Sequence, residues 1–155
     1  MPGIHEDTLI ALDLETTGVS AKTDHIIEVG AVKFKGGEQV DTFSALVNPQ
    51  RKLSSFIVGL TGITQEKVDA ASDWDDVKSD VADFIAGFPI IGHNVGFDAS
   101  FLRSHGVKPD GLYDTMSMAE IALPAGPEYS LGRLSQRFGF LHDKPHRALS
   151  DALAT

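Results

Sequence analysis

Apolar residues stand in short, nearly unbroken runs over the first third of the chain and then recur at three- and four-residue intervals. Leu9 to Leu14 and Ile26 to Phe34 (IIEVGAVKF) read as buried strands, and Gly36-Gly37 supplies a turn into a third strand, Gln39 to Val47. These three strands predict an antiparallel opening. Leu53 to Thr64 (LSSFIVGLTGIT) is apolar, punctuated by glycine and partly helical in character, which predicts a surface element with exposed hydrophobics. From Ser72 the period changes: Trp74, Val77, Val81, Phe84 and Ile85 mark one helix face, Asp73 suits its N-cap, Asp75 and Asp76 its positive end, and Gly87 its close. Pro89 to Gly92 predicts a short buried strand, Gly96 to His105 a helix stopped by Gly106, and Leu112 to Asp114 a strand feeding a helix through Leu123. A loop follows at Pro124 to Pro127. Ser130 caps a helix to Phe138, and a last helix begins at Arg147 and is still running at Thr155. With no Gly or Pro stop there, the chain reads as a portion of a longer protein. Strands alternating with helices after an opening meander predict one α/β domain, 1–155, with a mixed sheet.

Against this apolar frame, three polar stretches call for an explanation. In ALDLETTG (Ala11 to Gly18), period two places Asp13 and Glu15 on one side of a strand and Leu14 on the other. Alone, such a pair reads as a solvated turn, because close carboxylates repel and burial penalises each. In GHNVGFDASFL (Gly92 to Leu102), Asp98 falls in the first turn of a helix, where it also suits the positive end. Phe97, Phe101 and Leu102 recur at core spacing, His93 reads as a hydrogen-bonded structural histidine, and Asn94 either orients a substrate phosphate or fixes the turn. In HRALSDALAT (His146 to Thr155), His146 and Asp151 would stand about 140° apart on one ideal helix. Pro145 predicts instead that His146 belongs to the approach loop while Asp151 projects from the helix. A mobile histidine beside a fixed carboxylate suits a general base next to a metal ligand.

Composition narrows the chemistry. The absence of cysteine excludes disulfides and thiolate metal sites, so a bound ion would be a hard one held by His, Asp, Glu or neutral oxygens. The balance of 13 basic against 22 acidic residues gives a net charge of −9, which taken alone argues against gripping nucleic acid by its phosphates. That objection weakens if the acids gather around cations. Arg133, Arg137, Lys144 and Arg147 lie near the third stretch, each readable as part of a solvated helix face. No apolar run approaches bilayer length and the N-terminus lacks a basic-then-apolar signal, so a soluble, cytoplasmic protein without membrane partners is expected.

Taken in order and spacing, D-x-E-T-T-G, H-N-x-x-F-D and H-x-x-x-x-D resemble the three motifs of the DEDDh, or DnaQ-like, 3′-to-5′ exonuclease family, within the RNase H-like superfamily. Asp24 to Val32 (DHIIEVGAV) resembles its second strand, and Leu60 to Thr64 (LTGIT) its loop between motifs. Proofreading-type domains of bacterial DNA polymerase III and the exonuclease domain of DinG-type helicases look most similar. The resemblance implies a sheet opened by three antiparallel strands, continued by parallel ones and flanked by helices. It further implies that Asp13, Glu15, Asp98 and Asp151 hold two Mg²⁺ or Mn²⁺ ions roughly 3.5 to 4 Å apart, with Asp13 bridging, and that His146 is the general base. An imidazole's ordinary pKa near ~6.5 suits that role close to neutral pH. Thr16 or Thr17 would lie near the terminal 3′-hydroxyl, while Leu14, Leu60 and Phe101 either stack on the last bases or belong to the core. Base stacking tolerates any sequence, so the expected substrate is the 3′ end of single-stranded or frayed DNA, released as nucleoside 5′-monophosphates in proofreading or repair, with a polymerase or helicase as partner or linked domain. Two other readings stand beside it: an exoribonuclease trimming RNA, and a non-catalytic interaction domain.

Overall fold

A computed structural model describes residues 8–123, 128–140 and 144–155. The expected loop at Pro124 to Pro127 lies outside the described residues. The alternation of the opening runs becomes three long strands, β1 (Thr8–Thr16), β2 (Ile26–Lys35) and β3 (Glu38–Asn48), turned at Gly36 and Gly37, both of which take positive φ. Then follow α1 (Ser55–Thr61), α2 (Gln65–Asp69), β4 (Ser72–Asp73), α3 (Trp74–Ile85), β5 (Ile90–Gly92), α4 (Val95–Ser104), β6 (Leu112–Asp114), α5 (Thr115–Ala122), α6 (Leu131–Phe138) and α7 (Ala148–Ala154). The expected boundaries of β1 to β3, β5, β6 and α3 to α7 hold to within two residues, the partly helical segment Leu53 to Thr64 narrows to α1, and there are two additions, α2 and β4. Ser72 and Asp73 pair in parallel with Val47 and Asn48 before α3 starts, so the expected helix start carries a two-residue strand.

The six strands form one sheet in the order β4-β3-β2-β1-β5-β6. β1–β2 and β2–β3 are antiparallel, whereas β1–β5 and β5–β6 are parallel. This is the expected mixed α/β architecture, with helices covering a sheet whose central strands are buried on both faces.

The two faces differ in what they hold. On one, Ile10, Leu12 and Leu14 of β1 and Val29 and Ala31 of β2 join Val77, Val81 and Ile85 of α3 and Phe101 and Leu102 of α4 in the main core. The i, i+4, i+8 spacing of the α3 residues supplies that stripe, and Trp74 Nε1 donates to the His105 carbonyl oxygen at 2.8 Å to tie α3 to α4. The opposite face of β1 and β2 carries Ala11 and Val32, which pack on Ala152 of α7. A third cluster, Ile27 with Leu53, Ile57, Ile63 and Val68, fastens α1 and α2. The predicted exposed hydrophobics of that segment are Phe56, 71 % exposed, and Leu60, 40 % exposed.

Candidate active site

The acidic face of β1 is the one that α7 covers. The antiparallel register sets Ala11 opposite Val32, Asp13 opposite Gly30 and Glu15 opposite Glu28, so Asp13 and Glu15 continue the alternation begun by Ala11. Leu14, between them, turns into the main core. The ladder slips at Glu15/Thr16. The chain then bends: the Thr16 hydroxyl donates to the Gly18 carbonyl at 2.6 Å, and the Thr17 hydroxyl donates to Asp24 and accepts the His25 N–H. A Cβ on Gly18 would meet the Asp24 carboxylate at 2.5 to 2.7 Å, so a side chain there would displace the carboxylate that holds Thr17.

Asp98 reaches the same place from the other side. β5 pairs with β1 only at Ile10 and Ala11, which leaves the Leu14 N–H without a strand partner. Asp98 Oδ1 accepts that N–H at 2.9 Å. A single bond thus pins the first turn of α4 between Asp13 and Glu15 and buries Asp98.

The last two predicted residues arrive together. His146 precedes α7 in the left-handed region, φ 61, and is exposed, while Asp151 is buried one turn into the helix. The His146 N–H donates to Asp151 Oδ2 at 3.1 Å. The Pro145 argument for a loop histidine beside a helical aspartate therefore holds. Glu15, His146 and Asp151 each present a ligand atom within 4.8 Å of the other two.

Electrostatics describe the same cluster. Burial holds Asp13 well above the ordinary carboxylate range, and Asp98, Asp151, Glu15 and Glu28 push it further. Glu15 is raised to about 8, first by burial and then by Asp151, Glu28 and Asp98, with Arg147 opposing. Burial raises Asp98 to about 7 against the lowering effect of the Leu14 N–H bond. Acids gathered at this cost to one another form a donor set suited to divalent cations: carboxylate oxygens, one imidazole and no sulfur.

Other predicted residues fall differently. Phe101 is fully buried, packed on Phe97 with ring centroids 4.9 Å apart. Leu14 is also a core residue, so of the three apolar residues considered for base contact only Leu60 presents its side chain to solvent. Asn94 fixes the turn before α4 with φ 60, its N–H donating to Asp114 Oδ1 at 3.0 Å. His93 bonds the Thr115 hydroxyl through Nδ1, as a structural histidine would. Arg147, readable in the sequence as solvated, is instead ion-paired with Glu28, Nη2 to Oε1 at 2.6 Å. That pair escaped sequence reasoning. Its signal was a charged residue inside the apolar run IIEVGAV and an arginine beside His146.

The chain matches the family model for the exonuclease RNase_T over residues 10–155. It is 37 % identical over 159 residues to DNA polymerase III PolC-type of Bacillus subtilis (strain 168), an alignment covering 98 % of this chain and 11 % of the relative. To the 3′-5′ exonuclease DinG of the same organism it is 33 % identical, over 98 % of this chain and 17 % of the relative. It thus spans between a ninth and a sixth of the length of these two relatives. Among solved structures, exonuclease X in complex with 5′ overhanging duplex DNA superposes with a TM-score of 0.76 at 27 % identity, covering 94 % of this chain and 85 % of that one. The nuclease domain of 3′hExo, a DEDDh family member bound to rAMP, shares the fold with a TM-score of 0.82 at 24 % identity, covering 97 % and 88 %. With motifs, sheet order and family model in agreement, the chain belongs to the RNase_T exonuclease family.

Proposed function

We propose that this chain is a metal-dependent 3′-5′ exonuclease domain acting on the 3′ end of single-stranded or frayed DNA and releasing nucleoside 5′-monophosphates. The observation that carries this reading is the convergence of Asp13, Glu15, Asp98 and Asp151 with an exposed His146 at one end of β1. The four carboxylates would hold two Mg²⁺ or Mn²⁺ ions. When bound, such ions stabilise charge building on the phosphoryl and departing 3′ oxygens and ease deprotonation of a water.

The remaining work belongs to the protein. His146, exposed and held by its own N–H to Asp151, takes the proton of the attacking water. Asp98, tied to the Leu14 N–H, fixes the backbone over which the terminal nucleotide passes. Thr16 and Thr17 keep the bend rigid enough to receive the 3′-hydroxyl. Leu60, and Phe56 one turn before it, offer apolar surface to a base, a contact indifferent to sequence. The PolC-type and DinG relatives support a polymerase or helicase as partner or linked domain, with proofreading or repair in the cytoplasm as the corresponding setting. No helix among the described residues is long and apolar enough to cross a membrane.

The test is a digestion of 5′-labelled single-stranded DNA and RNA of one sequence with Mn²⁺ or Mg²⁺. The expected result is a ladder shortening from the 3′ end, faster on DNA, and silence in EDTA. Persistent hydrolysis in chelator would overturn the reading. Faster loss of RNA would replace it with the exoribonuclease, and no metal-dependent hydrolysis at all would leave the interaction domain.

A further inference from the structure

Glu28 stands directly across the β1–β2 ladder from Glu15 and is 2 % exposed. Like charges facing each other across an antiparallel pair repel, and Glu28 adds to the repulsion felt by both Asp13 and Glu15. A buried glutamate in that position needs compensation, and it comes from the start of α7. Arg147 Nε donates to Oε1 and Oε2 at 3.2 and 3.1 Å, Arg147 Nη2 to Oε1 at 2.6 Å, and the Ala148 N–H to Oε2 at 2.9 Å. Both carboxylate oxygens are therefore committed to residues 147 and 148.

Those two residues lie between the two functional groups of the third motif. On one side His146 holds a left-handed φ of 61, a conformation disfavoured for a non-glycine residue that persists where neighbours over-determine it. On the other, Asp151 N–H donates to the Arg147 carbonyl at 2.9 Å, and its carboxylate accepts the His146 N–H. The pivot of this small loop is the pair that Glu28 grips.

We propose that Glu28 is a positioning residue: through Arg147 and Ala148 it fixes the turn that presents His146 beside Asp151. The proposal rests on His146 being the base.

The experiment uses the whole chain with Glu28→Gln and Arg147→Lys. In metal-free protein, amide hydrogen exchange at His146 should accelerate about tenfold in Glu28→Gln while amides of β1 and α4 stay protected. With Mn²⁺, kcat should fall about 10- to 100-fold, with the KM for an oligonucleotide and the Mn²⁺ Kd changed less than about twofold. In a His146→Ala background the same substitution should cost nothing further, since residues acting through one group are not additive. Arg147→Lys keeps the charge and the Ala148 bond, and should give an intermediate loss. If Glu28→Gln does not fold, Arg147→Lys decides alone by the same measurements. Unchanged exchange at His146, an equal loss with and without His146, or a weakened Mn²⁺ Kd would each overturn the proposal. A wild-type chain without hydrolysis would refute the exonuclease reading instead, and the exchange measurement would still judge the clamp.

Discussion

Replacing Asp13 with asparagine keeps the shape of a half-buried side chain and removes its charge. Because burial and four neighbouring acids oppose ionisation of Asp13, Asp13→Asn should stabilise the metal-free protein by about 1 kcal/mol near pH 8. The gain should shrink as the pH is lowered to 5, because protonation removes the charge that burial and the neighbouring acids oppose. Urea melts in EDTA at the two pH values would check this, and a variant less stable than wild type at pH 8 would contradict it. The same variant should lose Mn²⁺ binding by calorimetry. His146→Ala is the complementary case. The side chain is exposed, so stability should move by no more than about 0.5 kcal/mol, while turnover drops about 10² to 10⁴-fold with Mn²⁺ affinity retained. Full activity in that variant would remove His146 as the base.

At the scale of elements, the seat of α7 decides whether the site exists. Gly30 lies opposite Asp13, and a Cβ on it would meet Leu149 N at 2.1 Å and Ala148 C at 2.2 Å. Backbone cannot swing aside as a flexible side chain can. Gly30→Ala should therefore lift α7, costing about 1 to 3 kcal/mol or more and weakening Mn²⁺ binding as Asp151 moves off. A denaturation curve paired with a calorimetric titration would show both effects, and wild-type values in both would refute the close approach. This element also marks how far the sequence could be read. The strands, most of the helices and the shared side of Asp13 and Glu15 were legible because period, caps and local spacing are properties of contiguous residues, whereas the grouping of these acids with Asp98, His146 and Asp151 was implied only by the motif resemblance. Glu28 meeting Arg147 and Asp98 reaching the Leu14 N–H were not. Each depends on sheet register or on one element docking onto another, which contiguous sequence does not specify.

Across the whole molecule, the raised acids couple stability to pH. Folding lifts Glu15 from 4.5 to about 8 and Asp98 from 3.8 to about 7, so between those values the folded chain binds more protons than the unfolded one. Stability of the metal-free protein should then fall as pH rises from about 4 to about 8. Cation binding requires the deprotonated acids and should release protons, so the Tm gained on adding Mn²⁺ should widen over the same range. Thermal melts with EDTA and with Mn²⁺, from pH 5 to pH 8, would test the sign of both trends. A flat metal-free profile would show that the acids are not raised.

α7 resting on Gly30 has a consequence for biogenesis. Asp13 and Asp151 stand 138 residues apart (151 − 13), so closure of that long loop must precede assembly of the acid cluster. A nascent or half-unfolded polypeptide of this sequence carries the acids but not their cluster, and on the proposed function it would leave nucleic acid around it intact until α7 has come to rest on β1 and β2.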